Sequence, residues 1–199
     1  MELSKNKIVQ AWLVLMLALL FGGALAGVQM VLGPTIETNK INETRQKVPE
    51  LVEVPAGEQP KVNVEPKTIE VEKNGKKTIY NVFQAFVDGR PVGWVAKSGG
   101  QGYADKIELL IGFDPALQTI TGVFVLDQKE TPGLGNKIIE PSWRGQFENK
   151  STTRPLEVVK TGAENENEIN AITGATISSR TVAGIVNSAV NDLKGPLTD

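Results

Sequence analysis

Residues 68–96 read TIEVEKNGKKTIYNVFQAFVDGRPVGWVA, and this stretch decides the fold class. Residues 68–72 alternate as a half-buried strand does, and Asn74-Gly75 is a pair that tight hairpin turns favour, because both central positions need positive φ. Residues 77–87 return as a second strand, Asp88-Gly89 turns the chain again, and 92–96 give a third strand. Strands joined by such short turns run antiparallel, since a parallel pair needs a long crossover.

Working outward toward the C-terminus, residues 98–103 (SGGQGY) carry three glycines and read as a loop. Residues 107–113 and 120–126 are two further β-rich runs, joined through Asp114-Pro115. Val182, Ile185, Val186, Ala189, Val190 and Leu193 recur at helical spacing. Lys194-Gly195-Pro196 then supplies a basic last turn, a C-cap glycine and a stop. The expected class is α+β, an antiparallel sheet with flanking helices, and no internal repeat is visible.

Working outward toward the N-terminus, no charge occurs between Lys7 and Glu37, and residues 8–32 are apolar apart from Gln10 and Gln29. A bilayer core needs about 20 apolar residues in a helix, so 8–32 is expected to be a transmembrane helix. A cleaved signal peptide competes, because Ala24-Leu25-Ala26 fits a small-x-small cleavage site. Apolarity that continues past Ala26 to Val31-Leu32 favours the retained anchor. Lys5 and Lys7 precede the span and no basic residue follows before Lys40, which places the N-terminus in the cytoplasm and the body outside it. Gly23-x-x-x-Gly27 suits close packing against a partner helix, although glycine is also simply common in membrane helices. The expected organisation is a cytoplasmic N-terminus over 1–7, the membrane helix over 8–32, a linker over 33–66 and the compact domain over 67–199. Prolines at 34, 49, 55, 60 and 66 mark the linker. Ile41, Val48 and Leu51 suggest a short helix in it, and 55–66 an extended run.

Composition excludes several chemistries. The 199 residues include no cysteine and no histidine, which removes disulfides, thiolate-held iron–sulfur clusters, c-type haem attachment, histidine-ligated metals and His- or Cys-based nucleophilic catalysis. Any metal would need carboxylate and carbonyl ligands, and electron transfer would need an organic cofactor. A net charge of −2 and 6% aromatic residues offer nucleic acid neither a basic field nor a stacking platform.

Two stretches could carry chemistry. Residues 170–180 read NAITGATISSR, with four hydroxyls at the start of the final helix. Ser178 or Ser179 is placed to cap that helix, whose amides and dipole favour an anion. Arg180 can add a charge-assisted bond to phosphate, and Gly174 and Ala175 leave Thr176 accessible beside it. An ordinary capped helix start explains the same spacing. Residues 129–137 read KETPGLGNK, in which Pro132-Gly133 is the central pair of a type II turn. Such a turn pushes Thr131 and Leu134 to the domain's edge, where Leu134 suits a flat apolar ligand; a plain loop is the alternative.

Together these stretches resemble the RnfG family, which belongs to the Rnf complex, the ion-translocating electron-transfer assembly of bacterial and some archaeal membranes. They are also similar to the flavin-binding domain found in the homologous component of the sodium-pumping NADH:quinone oxidoreductase. The family pattern Asp-x-x-(Ser/Thr)-Gly-Ala-Thr is met at Thr173-Gly174-Ala175-Thr176, and Glu-Thr-Pro-Gly-Leu-Gly is intact at 130–135. Trp143-x-x-Gln146-Phe147 also fits, as do the single N-terminal span and the length. The pattern's Asp is Asn170 here, an amide that keeps the hydrogen-bonding shape and loses the charge. The resemblance implies FMN joined through its phosphate to the Thr176 hydroxyl by a separate flavin transferase acting from FAD. It implies that Thr131 and Leu134 line the ring. Glu130, Gly133, Thr173, Gly174, Ala175, Ser178 and Arg180 are further cofactor-binding candidates, and Lys137 is a candidate for the pyrimidine edge, with a solvated lysine as the alternative.

The implied function is an electron-relay subunit of an Rnf-type ferredoxin:NAD oxidoreductase, held in the cytoplasmic membrane with its FMN domain on the extracytoplasmic side. Its partners would be the other membrane and peripheral subunits. It would not bind NAD itself, because no Gly-rich dinucleotide fingerprint sits at a strand–helix turn. The homologous component of the sodium-pumping quinone reductase, or a non-redox membrane-anchored scaffold, are the alternatives.

Overall fold

The computed structural model describes residues 7–52, 62–73 and 75–198. The expectations placed on Lys5, Pro55, Pro60 and Asn74 lie outside the described residues. The chain forms two units, Met1–Glu43 and Thr44–Asp199.

In the first unit, helix α1 begins at Lys7, and the helix ends at Lys47 inside the second unit. Its segment Val9–Thr35 is long and apolar enough to cross a membrane. Large apolar side chains such as Trp12, Leu19, Leu25 and Val31 are exposed along it, the surface that a membrane-crossing helix would present to lipid. The helix runs through Pro34 rather than ending there. Proline removes one i→i−4 bond and leaves the rest of the ladder in place.

In the second unit Thr44, Val48 and Leu51 continue at helical spacing and are buried, the last two in a 3-10 turn over Val48–Leu51. This is the periodicity expected of Val48 and Leu51, with Thr44 as its neighbour. Six antiparallel strands follow in simple chain order: β1 (Asn63–Lys73), β2 (Lys76–Val87), β3 (Arg90–Gln101), β4 (Lys106–Phe113), β5 (Thr119–Asp127) and β6 (Lys150–Ser151). Gly75 at the first turn, and Asp88 and Gly89 at the second, all have positive φ, as primed hairpin turns require. At the β4–β5 turn the Asp114 carboxylate accepts the amides of Ala116, Gln118 and Thr119 at 3.2, 2.6 and 2.6 Å.

The sheet is buried on both faces. On one face Ile107, Leu109, Ile111 and Phe113 of β4 meet Val182, Ile185, Val186, Ala189 and Leu193 of helix α3 (Thr176–Thr198). On the other, Ala85, Val95 and Leu110 meet Val48, Leu51 and Val52. Gly112 belongs to this second face, where a Cβ would collide with the Leu51 carbonyl oxygen. Thr121 donates its hydroxyl to the same oxygen. Tyr80 donates to Asp192 at 2.8 Å and Lys73 reaches that carboxylate at 3.0 Å, tying the end of α3 to β1 and β2. Burial and the Asp192 bond together raise the Tyr80 pKa.

Two sequence expectations are corrected. Residues 98–101 are not loop: β3 pairs Ser98 with Leu109, Gly99 with Glu108, Gly100 with Ile107 and Gln101 with Lys106. The glycine there answers a tertiary demand, because a Cβ on Gly100 would stand 2.9 Å from Ile185 Cγ1 of α3. The second correction is at Gly195-Pro196, which do not stop α3; it runs to Thr198, with Leu197 packed on the core and the Thr198 hydroxyl donating to the Lys194 carbonyl. The rest of the domain is a one-turn helix α2 (Pro141–Arg144), flanked by 3-10 turns over Gly135–Ile139 and Gly145–Phe147, and a parallel pair β7 (Glu157–Val159) and β8 (Glu168–Asn170).

Leu193→Ala should lower unfolding free energy by about 2–5 kcal/mol through the cavity it leaves, read by urea denaturation. Glu108 adds a pH dependence. Burial opposes its carboxylate, but the Lys106 hydrogen bond and the Lys97 charge, at 2.9 and 3.3 Å, outweigh burial and hold its pKa below the ordinary value. A depressed pKa gives stability that is present above the unfolded-state value and lost as pH falls through the folded one. The melting temperature should therefore drop on acidification below the usual glutamate range, and Glu108→Gln should flatten that drop.

Candidate functional site

The start of α3 is set from below by a clamp on β8. Trp143 Nε1–H donates to the Asn170 carbonyl at 2.8 Å, and Gln146 Nε2 adds a 3.4 Å bond to the same oxygen. Gln146 Oε1 accepts the Asn170 amide at 2.8 Å. Trp143 and Phe147 pack edge to face at 5.3 Å between centroids. The Asn170 side chain is spent elsewhere, accepting the Ala163 amide at 2.9 Å. The Trp-x-x-Gln-Phe stretch therefore grips the backbone that leads into Thr173-Gly174-Ala175-Thr176.

Above the clamp the chain turns sharply. Ala175 N–H donates to the Ile172 carbonyl at 2.9 Å, and Gly174 adopts φ +79. A Cβ on Gly174 would stand 3.0 Å from Leu134 Cδ2. The expectation that Ser178 or Ser179 caps the helix is corrected, because α3 already starts at Thr176 and both serines are buried in its first turn. The Ser179 hydroxyl accepts the Ile172 amide and donates to the Ala175 carbonyl, both at 3.0 Å, stapling the turn to the helix.

The second stretch forms the type II turn expected of Pro132-Gly133. Leu134 N–H donates to the Thr131 carbonyl at 3.1 Å and Gly133 has φ +76. Glu130 is turned inward and 4% exposed. One carboxylate oxygen accepts the Ala104 amide at 3.0 Å, and the other accepts the Ser178 hydroxyl. Gly135 makes room for this pair, since a Cβ there would meet Ser178 Oγ at 2.7 Å and Glu130 Oε2 at 2.8 Å.

The two stretches meet around a cavity of about 560 Å³, within the roughly 300–1,000 Å³ range of small-molecule clefts. Among the expected residues, Glu130, Thr131, Leu134, Gly174, Ala175, Thr176 and Ser178 line it. Gly133, Thr173, Lys137 and Arg180 are not among its lining residues. Tyr103, Gly135 and Ile177 line it without having been expected. Ile177 had one signal, an apolar residue among hydroxyls at the helix start; Tyr103 had none, lying in a stretch read only as loop. Leu134 and Ile177 are 43% and 54% exposed, which puts apolar surface at the mouth of the cleft. A larger cleft of about 690 Å³, along β2–β4 and α3, contains none of the expected residues. Among the described residues no group of three acidic, histidine or cysteine side chains is arranged to hold a metal.

Chemically, the cavity joins a helix N-terminus, which favours an anion, to apolar walls and a half-buried hydroxyl at Thr176. A flat ring with a phosphate tail fits that combination. Residues 102–191 match the FMN-binding domain family model, which begins at the loop of Tyr103 and includes both stretches. The chain is similar to the G component of the Na(+)-translocating ferredoxin:NAD(+) oxidoreductase complex of Acetobacterium woodii, 36% identical over 159 residues, covering 78% of this chain and 73% of that one. It is also similar to the G component of the ion-translocating oxidoreductase complex of Methanosarcina acetivorans, 36% identical over 123 residues, covering 61% of this chain and 62% of that one. Among solved structures, Shewanella oneidensis NqrC shares the fold with a TM-score of 0.65 at 18% identity, covering 80% of this chain and 98% of that one.

Trp143→Phe keeps an aromatic ring beside Phe147 but removes the Nε1 donor and part of the buried indole. It should cost about 1–3 kcal/mol, one hydrogen bond plus lost packing, measured by chemical denaturation.

Proposed function

Because the chain belongs to the RnfG family of ion-translocating ferredoxin:NAD(+) oxidoreductase complexes, we propose that it is the electron-relay subunit of such a complex, with FMN as its carrier. The observation that carries this reading is the meeting of 130–135 and 174–178 around one cavity inside the matched domain. Bound there, FMN would supply reversible electron storage, which no side chain of a chain lacking cysteine and histidine provides. The residues divide the work. The first-turn amides of α3 favour the phosphate, while Leu134 and Ile177 offer apolar surface to the ring and exclude water from it.

Attachment at Thr176 is the finer part of the proposal. Thr176 is half-buried and lines the cavity, so its hydroxyl is within it yet reachable. Ser178 and Ser179 are buried with their hydroxyls engaged, and Thr173 is outside the lining. A flavin transferase would move FMN from FAD to the Thr176 oxygen: the bond between the two phosphates breaks, AMP leaves, and the threonine proton is released. Val9–Thr35 would anchor the chain in the membrane beside the other subunits, with the domain on the extracytoplasmic side.

Mass spectrometry of the chain co-expressed with its flavin transferase tests this. The peptide containing Thr176 should be heavier by FMN less one water, and Thr176→Ala should remove that mass and stop coupled electron transfer. Ser178→Ala should keep the flavin. An unmodified wild-type peptide, or flavin retained in Thr176→Ala, would overturn the assignment.

A further inference from the structure

Tyr103 sits on the short loop 102–105 between β3 and β4, and it is 66% exposed. Of the residues that line the cavity it alone is aromatic. A tyrosine at a hairpin tip ordinarily turns into water, and nothing fixes its loop to the rest of the fold. This loop is fixed. Gly102 N–H donates to the Asp105 carbonyl at 2.9 Å, Ala104 N–H to Glu130 Oε1 at 3.0 Å, and Lys129 reaches Asp105 at 3.1 Å. A Cβ on Gly102 would strike the Glu130 carboxylate, so the backbone lies close against it.

Glu130 therefore joins three segments at once: the loop of Tyr103, the turn of Leu134, and, through Ser178, the start of α3. Among the described residues no lysine or arginine pairs with it. Both of its oxygens accept hydrogen bonds, as a buried polar group requires, and those bonds hold the segments together. All three border the cavity.

We propose that Tyr103 is the aromatic wall of the flavin site, its phenol ring lying against the flavin ring. This rests on the flavin reading of the cavity given above. An aromatic side chain offers a flat ring a stacking surface and covers it from solvent. A phenol in contact with photoexcited flavin also donates an electron to it and recovers that electron in the dark return, so emission is quenched with no net chemistry. Phenylalanine has the same ring and cannot donate. No tryptophan lines the cavity to act in its place.

The test uses the full chain carrying its flavin, with loading confirmed by mass in each sample, and compares wild type with Tyr103→Phe and Tyr103→Ala. The fluorescence lifetime of the oxidised flavin should be short in wild type and several-fold longer in both variants. Iodide should quench the remaining emission more strongly in Tyr103→Ala, whose ring is uncovered, than in Tyr103→Phe. Loaded variants with the wild-type lifetime would overturn the proposal and leave the flavin reading standing. Wild type that carries no flavin would overturn both.

Discussion

The fold depends on covering both faces of one antiparallel sheet. A strand such as β4, with Ile107, Leu109, Ile111 and Phe113 on one side and Leu110 on the other, cannot leave either side in water. The two covers come from opposite ends of the domain. Residues 44–52 close one face and α3 closes the other. Gly112 and Gly100 mark where each cover approaches most closely, one against the Leu51 carbonyl and one against Ile185. The position of α3 is therefore fixed along its whole length by packing, and its first turn, with Thr176, is held where the packing leaves it.

That arrangement explains why the site is assembled from segments distant in sequence. The loop after β3, the turn after β5 and the start of α3 lie at the same end of the sheet because an up-and-down meander returns every second connection to that end. The protein then stiffens the junction with polar groups rather than apolar ones. Glu130 and Ser178 tie the segments above, and Trp143 and Gln146 hold β8 below. Apolar residues at the cavity itself, Leu134 and Ile177, remain partly exposed, which leaves apolar surface at its mouth.

The sequence made legible whatever is local. Asp88-Gly89 and Gly75 announce hairpins through turn chemistry, the stripe from Val182 to Leu193 announces a helix, and Pro132-Gly133 announces its turn type. What stayed hidden depends on distant neighbours. Gly99 and Gly100 look like loop residues until Ile185 is seen above the strand. Ser178 and Ser179 look like caps until the Glu130 carboxylate and the Ile172 amide claim their hydroxyls. Strands as short as β7 and β8 carry no period at all, and Tyr103 became part of the site only through the bond between its loop and Glu130. The membrane-length helix was plain from composition, but its continuation through Pro34 to Lys47 was not.

The grip on position 170 has one more consequence. Trp143 and Gln146 bind only main-chain atoms of Asn170, and the side chain contributes a single acceptor to the Ala163 amide. An amide oxygen and a carboxylate oxygen can both accept that amide proton. The fold thus accepts either residue type at position 170, because the clamp from Trp143 and Gln146 does not use the side chain. The main chain of residue 170 carries the structural duty, and its side chain is left free to vary.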